Sequence, residues 1–160
     1  MKLDSLEIKI NNEVKRFVKF KSGLNLVTNK PNSGRTGNSV GKSTLSRVVD
    51  FLMLGSIENI YIDEEFKKPN LEIETLFKNN IVTASLSFFD YSNKINQISR
   101  HLCIDDESES KFWVNGEIVE EKGYESFIQD KIFNIATRRP SVRAVAPKFI
   151  RNDSHRILNP

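Results

Sequence analysis

The stretch Gly37-Asn38-Ser39-Val40-Gly41-Lys42-Ser43-Thr44, followed by Leu45-Ser46-Arg47-Val48-Val49-Asp50-Phe51-Leu52, decides how the chain is read. Leu45, Val48, Val49 and Leu52 recur at i, i+3, i+4 and i+7, the spacing of one helix face. The helix is expected from about Lys42 to Leu54, with Gly55 placed to end it. Ahead of it lies a polar loop from Asn29 to Gly41, rich in Asn, Ser and Gly. Leu24, Leu26 and Val27, after the turn at Ser22-Gly23, read as a strand that enters the loop.

A strand, a glycine-bearing loop and a helix in that order place backbone N–H groups and a helix N-terminus around an anion. Lys42 would then reach the β- and γ-phosphates of a nucleotide, and the Ser43 hydroxyl would hold Mg²⁺. Gly41 lets the backbone approach the phosphates without a side chain between. The expected nucleotide-binding residues are therefore Gly37, Asn38, Ser39, Val40, Gly41, Lys42, Ser43 and Thr44, with Ser43 as metal ligand, and ATP and Mg as cofactors. The spacing is a variant of the Walker A pattern. Its first glycine belongs where Thr36 stands, and Gly37 comes one place late. The bland alternative is a helix start that merely carries Gly-Lys-Ser-Thr.

Around this motif the chain reads as mixed α/β. Leu3 to Ile10 and Val14 to Phe20, broken at Asn11-Asn12, form a hairpin pattern. Val82, Ala84, Leu86 and Phe88 alternate with Thr83, Ser85 and Ser87, a half-buried strand with Asn93 to Ile104 as its partner. Phe112-Trp113-Val114, Asn115-Gly116 and Glu117-Ile118-Val119 make a hairpin, because Asn-Gly supplies the two positive-φ positions of a type I′ turn. Residues 71 to 79 fit either a helix or a strand. Tyr124 to Ile135 has helical spacing. Val142 to Ile150 suits a short helix apart from Pro147, which lacks the N–H a helix interior needs.

The chain has 160 residues, about one domain. Its single Cys103 excludes an internal disulfide and a cysteine-based zinc site. No apolar run nears the ~20 residues of a membrane span. With no signal-peptide pattern at Met1-Lys2-Leu3-Asp4, the expectation is a cytoplasmic protein with no membrane association. The net charge is +3, and the basic residues cluster. One group is Lys15, Arg16, Lys19, Lys21, Lys30, Arg35, Lys42 and Arg47; the other is Arg138, Arg139, Arg143, Lys148, Arg151 and Arg156. Such clusters suit phosphate or DNA backbone, or simply a solvated surface.

Several residues invite a functional reading and a plainer one. Ile60-Tyr61-Ile62-Asp63-Glu64 mimics a Walker B strand, but follows the helix too closely and is read as an acidic surface loop. Asn29-Lys30-Pro31-Asn32 mimics a guanine-specificity motif without its closing Asp. Arg35 suits a ribose or α-phosphate contact, or solvent. Phe112 and Trp113 suit base stacking, or packing. His101 is read as structural.

Phe17-Val18-Lys19-Phe20-Lys21-Ser22-Gly23-Leu24-Asn25-Leu26-Val27, the Gly37 to Thr44 loop and its helix, and Phe112 to Val119 together resemble the N-terminal half of an SMC-like ABC-type ATPase head. The segment from Thr36 to Leu52 is closest to bacterial SMC-like proteins of three-component ABC systems. The resemblance covers roughly residues 3 to 150, and only its P-loop segment is highly specific. It implies a P-loop NTPase N-terminal lobe: the P-loop at 36–44, an antiparallel β-subdomain at about 81–119, and a helical, basic C-terminal segment at 122–160. It also implies an ATP- and Mg²⁺-dependent head that dimerises around nucleotide, in a DNA-repair or defence complex. The family's second half carries the signature motif, the Walker B strand and the catalytic Glu. No Leu-Ser-Gly-Gly segment occurs here. The chain is thus expected to be an amino-terminal portion that binds nucleotide, pairs with a C-terminal half or a second head, and hydrolyses poorly alone. The catalytic residue is left unassigned. The family's Mg²⁺-contacting Gln has no match between Val145 and Asp153, and Gln129, on the predicted helix, is expected at the surface. Two alternatives stand beside this reading: a small P-loop kinase, with Arg138-Arg139 as lid arginines, and a non-catalytic interaction module with a degenerate P-loop.

Overall fold

Asn11 and Asn12 take positive φ values of 51° and 67°, as a two-residue hairpin turn demands. They join β1 (Lys2–Ile10) to β2 (Glu13–Lys19). The Asn11 side chain also bonds outward: its Oδ1 accepts from the Ile81 N–H at 2.9 Å, and its Nδ2 donates to Asn80 Oδ1 at 2.8 Å. This fixes the hairpin to the start of β3 (Val82–Phe89). The computed structural model describes residues 1–23, 25, 42–62, 67–104, 111–135, 137 and 139–150, without the side chains of Lys42, Ser43 and Phe149.

The strands continue with β4 (Ile95–His101), β5 (Phe112–Val114) and β6 (Glu117–Val119). All six form one sheet in the order β2-β1-β3-β4-β5-β6, and every neighbouring pair is antiparallel. The hairpin of β1 and β2 and the strands of 82–119 are thus continuous, joined by the long β1–β3 pairing. The Asn115-Gly116 turn forms as its sequence requires, with φ values of 51° and 87°. Asn115 then fastens this hairpin to β4, because its N–H donates to the Gln97 carbonyl and its Oδ1 accepts from the Gln97 N–H, each at 2.8 Å.

Register puts Leu6, Leu86, Ile98 and Val114 in one cross-strand row, and Ile8, Ala84, Arg100 and Phe112 in the next. The alternation expected of β3 is found: Val82, Ala84, Leu86 and Phe88 are all buried. On the opposite face the hydroxyls pair with one another, Ser99 Oγ with Ser85 Oγ at 2.8 Å.

The helices are α1 (Lys42–Leu52), α2 (Glu58–Tyr61), α3 (Leu71–Asn79), α4 (Glu121–Lys131) and α5 (Val142–Phe149). Val48, Phe51 and Leu52 of α1 join the sheet's buried cluster, with Leu45 and Val49 packed against it. Residues 71–79, open between helix and strand in the sequence, are a helix because Asn70 caps them. Its side chain accepts from the Glu72 and Ile73 N–H groups. The predicted Tyr124–Ile135 helix is shorter at its far end, where Asn134 turns left-handed at φ 55°. Of the apolar residues at helical spacing, Tyr124, Ile128 and Ile132 are buried in the core, while Phe127 and Ile135 are half-buried. Pro147 is accommodated inside α5 for the loss of one helical bond, to the Arg143 carbonyl.

Two expectations are corrected. Gly55 does not end α1 through positive φ; Leu54 takes the left-handed position at φ 64°. The Leu54 N–H then bonds the Phe51 carbonyl and the Gly55 N–H the Asp50 carbonyl, a Schellman closure. Glycine at 55 serves a close approach, since a Cβ there would meet Asp50 Oδ2 at 2.3 Å. Gln129 is not a surface residue: it is buried, and its Nε2 donates to the Pro140 carbonyl at 2.9 Å. Arg143, counted in the basic tail, is exposed and also bonds Asp50.

Candidate nucleotide site

Helix α1 opens at Lys42, where the sequence places the phosphate-facing end. Its first turn, Lys42-Ser43-Thr44-Leu45, contains no acidic residue. No carboxylate of that turn answers the partial positive charge of the helix N-terminus. Thr44 is exposed. Leu24, Leu26 and Val27 of the expected strand, Arg35, and Gly37, Asn38, Ser39, Val40 and Gly41 lie outside the described residues; Asn25, which is described, is in no strand.

The opposite end of α1 is gripped from three elements. Arg100 of β4 donates through Nη1 to the Phe51 carbonyl at 2.8 Å and to the Gly55 carbonyl at 2.9 Å. Its guanidinium lies 3.9 Å from the centre of the Phe51 ring and 5.2 Å from that of Phe112, within cation–π range of both. Tyr124 of α4 donates its hydroxyl to the Leu52 carbonyl at 2.9 Å. Burial pushes that phenol far above its ordinary value, outweighing the opposing effect of Arg100, so it remains a neutral donor. Arg143 of α5 donates through Nη1 to Asp50 Oδ1 at 2.7 Å and to the Met53 carbonyl at 3.4 Å. Two cations thus meet the negative end of the helix dipole, where they stabilise it. Of the last carbonyls, that of Asp50 takes the Gly55 N–H, that of Phe51 takes the Leu54 N–H as well as Arg100, and that of Leu52 takes the Tyr124 hydroxyl.

These anchoring residues were missed in the sequence. One signal was present: Asn96, Ile98 and Arg100 occupy alternate positions of β4, so burying Ile98 also turns Arg100 inward. Asp50 and Arg143 carry no local signal of pairing.

The other candidates separate. Phe112 is buried and packs its ring against Tyr124, with centroids 5.0 Å apart and planes tilted 52°. That is the packing role foreseen for it, while Trp113, the next residue, lies on the other face of the strand and is half-buried. Ile60 and Tyr61 fall in the four-residue α2 instead of a strand, and Asp63 and Glu64 lie outside the described residues. His101 ends β4, opposite Thr83. Of the second basic cluster, Arg139, Arg143 and Lys148 are exposed, and Arg138, Arg151 and Arg156 lie outside the described residues. Among the described residues no group of three or more His, Cys, Asp or Glu side chains is placed to hold a metal ion, and no helix is long and apolar enough to cross a membrane.

No protein-family model matches the chain, and no curated protein matches it at a significant level.

Proposed function

We propose that the chain is the ATP- and Mg²⁺-binding N-terminal lobe of an SMC-like ATPase, acting in a DNA-repair or defence complex. The observation that carries the reading is the position of Gly41-Lys42-Ser43-Thr44, with Lys42 opening a helix whose first turn has no acidic residue. In this reading the backbone of Gly37–Gly41 and the Lys42 ammonium hold the phosphates, and Ser43 ligates Mg²⁺, whose charge offsets that of the β- and γ-oxygens. Groups that position the attacking water come from a C-terminal half or a second head, so the 160-residue chain binds nucleotide with little turnover. DNA contact through the basic clusters belongs to the same proposal, as does pairing around nucleotide.

Equilibrium binding of a fluorescent ATP analogue, competed with ATP and with GTP, tests this together with phosphate release. Displacement by ATP in the presence of Mg²⁺, with phosphate release near the uncatalysed rate, is the expected result. Steady turnover by this chain would point to the small-kinase or complete-enzyme alternative. A folded chain that binds neither nucleotide would contradict the reading.

A further inference from the structure

Asp50 lies in the last turn of α1 and its side chain is only 5% exposed, whereas its partner Arg143 on α5 is 40% exposed. One carboxylate oxygen receives the Arg143 guanidinium at 2.7 Å. The other lies where a Cβ at residue 55 would stand, 2.3 Å from that position. The carboxylate is therefore fixed between α5 and the Gly55 backbone, and it belongs to the same helix that begins at Lys42.

An α-helix is stiff along its axis. The 11 residues of α1 span about 16 Å, so a tilt of about 10° at the Asp50 end swings the Lys42 end by about 3 Å. Groups that hold a ligand need placement to within about 0.5 Å. Whatever fixes the far end of α1 therefore aims the near end. We propose that Asp50 and Arg143 are positioning residues for the phosphate-facing end of α1, an inference that rests on the nucleotide reading above. Arg100 and Tyr124 hold backbone carbonyls of the helix end, and the Asp50–Arg143 pair joins that end to α5, 93 residues away. Seating of α5 and affinity for nucleotide are then linked, in both directions.

The test is the Kd for Mg-ATP in the full chain, measured beside the urea midpoint. Arg143→Gln removes the guanidinium and leaves the Asp50 charge without its partner, which endangers folding. A second variant, Asp50→Asn with Arg143→Met, removes the link without stranding a buried charge. Arg143→Lys keeps a cation within reach of Asp50. We expect about tenfold weaker binding in the double variant, at a urea midpoint close to wild type, and a smaller loss in Arg143→Lys. A folded double variant that binds within about twofold of wild type overturns the positioning role. Absence of Mg-ATP binding by the wild-type chain instead overturns the nucleotide reading, and this inference falls with it.

Discussion

Arg100 holds Phe51 in two ways at once: its Nη1 donates to the Phe51 carbonyl at 2.8 Å while its guanidinium covers the Phe51 ring at 3.9 Å. A strand residue thereby fixes both the backbone and the side chain of the helix that leads from the glycine-rich loop. The same guanidinium bonds the Gly55 carbonyl, so the turn after the helix is held as well. Arg100→Ala would remove the guanidinium from both carbonyls, leaving that of Phe51 only the Leu54 N–H, and would remove the stacked cation. Charge-assisted hydrogen bonds and a partly desolvated cation–π contact together suggest a loss of about 3 kcal/mol. Urea denaturation of wild type and variant measures it. Arg100→Lys should recover only part of the loss, because an ammonium cannot lie flat on the ring while reaching two carbonyls.

Two glycines should respond to alanine in opposite directions. At Gly55 the new Cβ would meet Asp50 Oδ2 at 2.3 Å, the Asp50 carbonyl oxygen at 2.7 Å and its carbon at 2.9 Å. Backbone atoms cannot step aside cheaply, so Gly55→Ala should destabilise by about 2 kcal/mol. Gly123 lies within α4, and its nearest neighbour to a new Cβ is Val119 Cβ at 3.8 Å. Gly123→Ala should stabilise by about 0.5–1 kcal/mol, through helix preference and a less flexible unfolded chain. Thermal or urea midpoints of the two variants decide the signs.

Asp90 supplies a test by pH. Its Oδ1 accepts from the Ser92 and Lys94 N–H groups, each at 2.9 Å, and its Oδ2 from Asn96 Nδ2 at 3.2 Å. The Lys94 backbone bond, ahead of the Asn96 and Ser92 bonds, holds the carboxyl below its ordinary value despite its burial. A group whose folded pKa is depressed stabilises fully above its unfolded value, about 3.9, and loses that contribution as pH falls through the folded value. The stability difference between wild type and Asp90→Asn should therefore be constant above about pH 5 and shrink as pH falls below 4. Urea midpoints between about pH 2 and pH 6 show whether it does. The subtraction removes Asp4, which Lys19 holds low in the same direction.

Much of the fold was legible because local rules and tertiary structure agree. The β3 alternation, the two asparagine turns and the buried stripe of α4 each have a cause within a few residues of the signal. The misreadings have distant causes. Gly55 stands where a helix stop is expected, yet Leu54 holds the left-handed position; the reason for glycine is the Asp50 side chain packed against it. Gln129 reads as a helix-surface residue until the chain returns and brings the Pro140 carbonyl onto it. The link between Asp50 and Arg143 spans 93 positions, and no local pattern encodes it. Of the candidate site, the helix start at Lys42 was legible from the sequence motif. Its anchoring at the far end depends on which strand positions face inward, and so became visible only with the sheet register.

Calorimetric titration of the chain with Mg-ATP, beside the Lys42→Ala variant, tests the central claim most directly. Lys42 begins α1, and on the proposed reading its ammonium meets the β- and γ-phosphates, so the variant should lose that contact. The account predicts saturable binding of ATP by the wild-type chain and a loss of at least about tenfold in the variant, a difference of about 1.4 kcal/mol or more. Equal affinity in the two proteins, or no heat of binding from a folded wild-type chain, would contradict it.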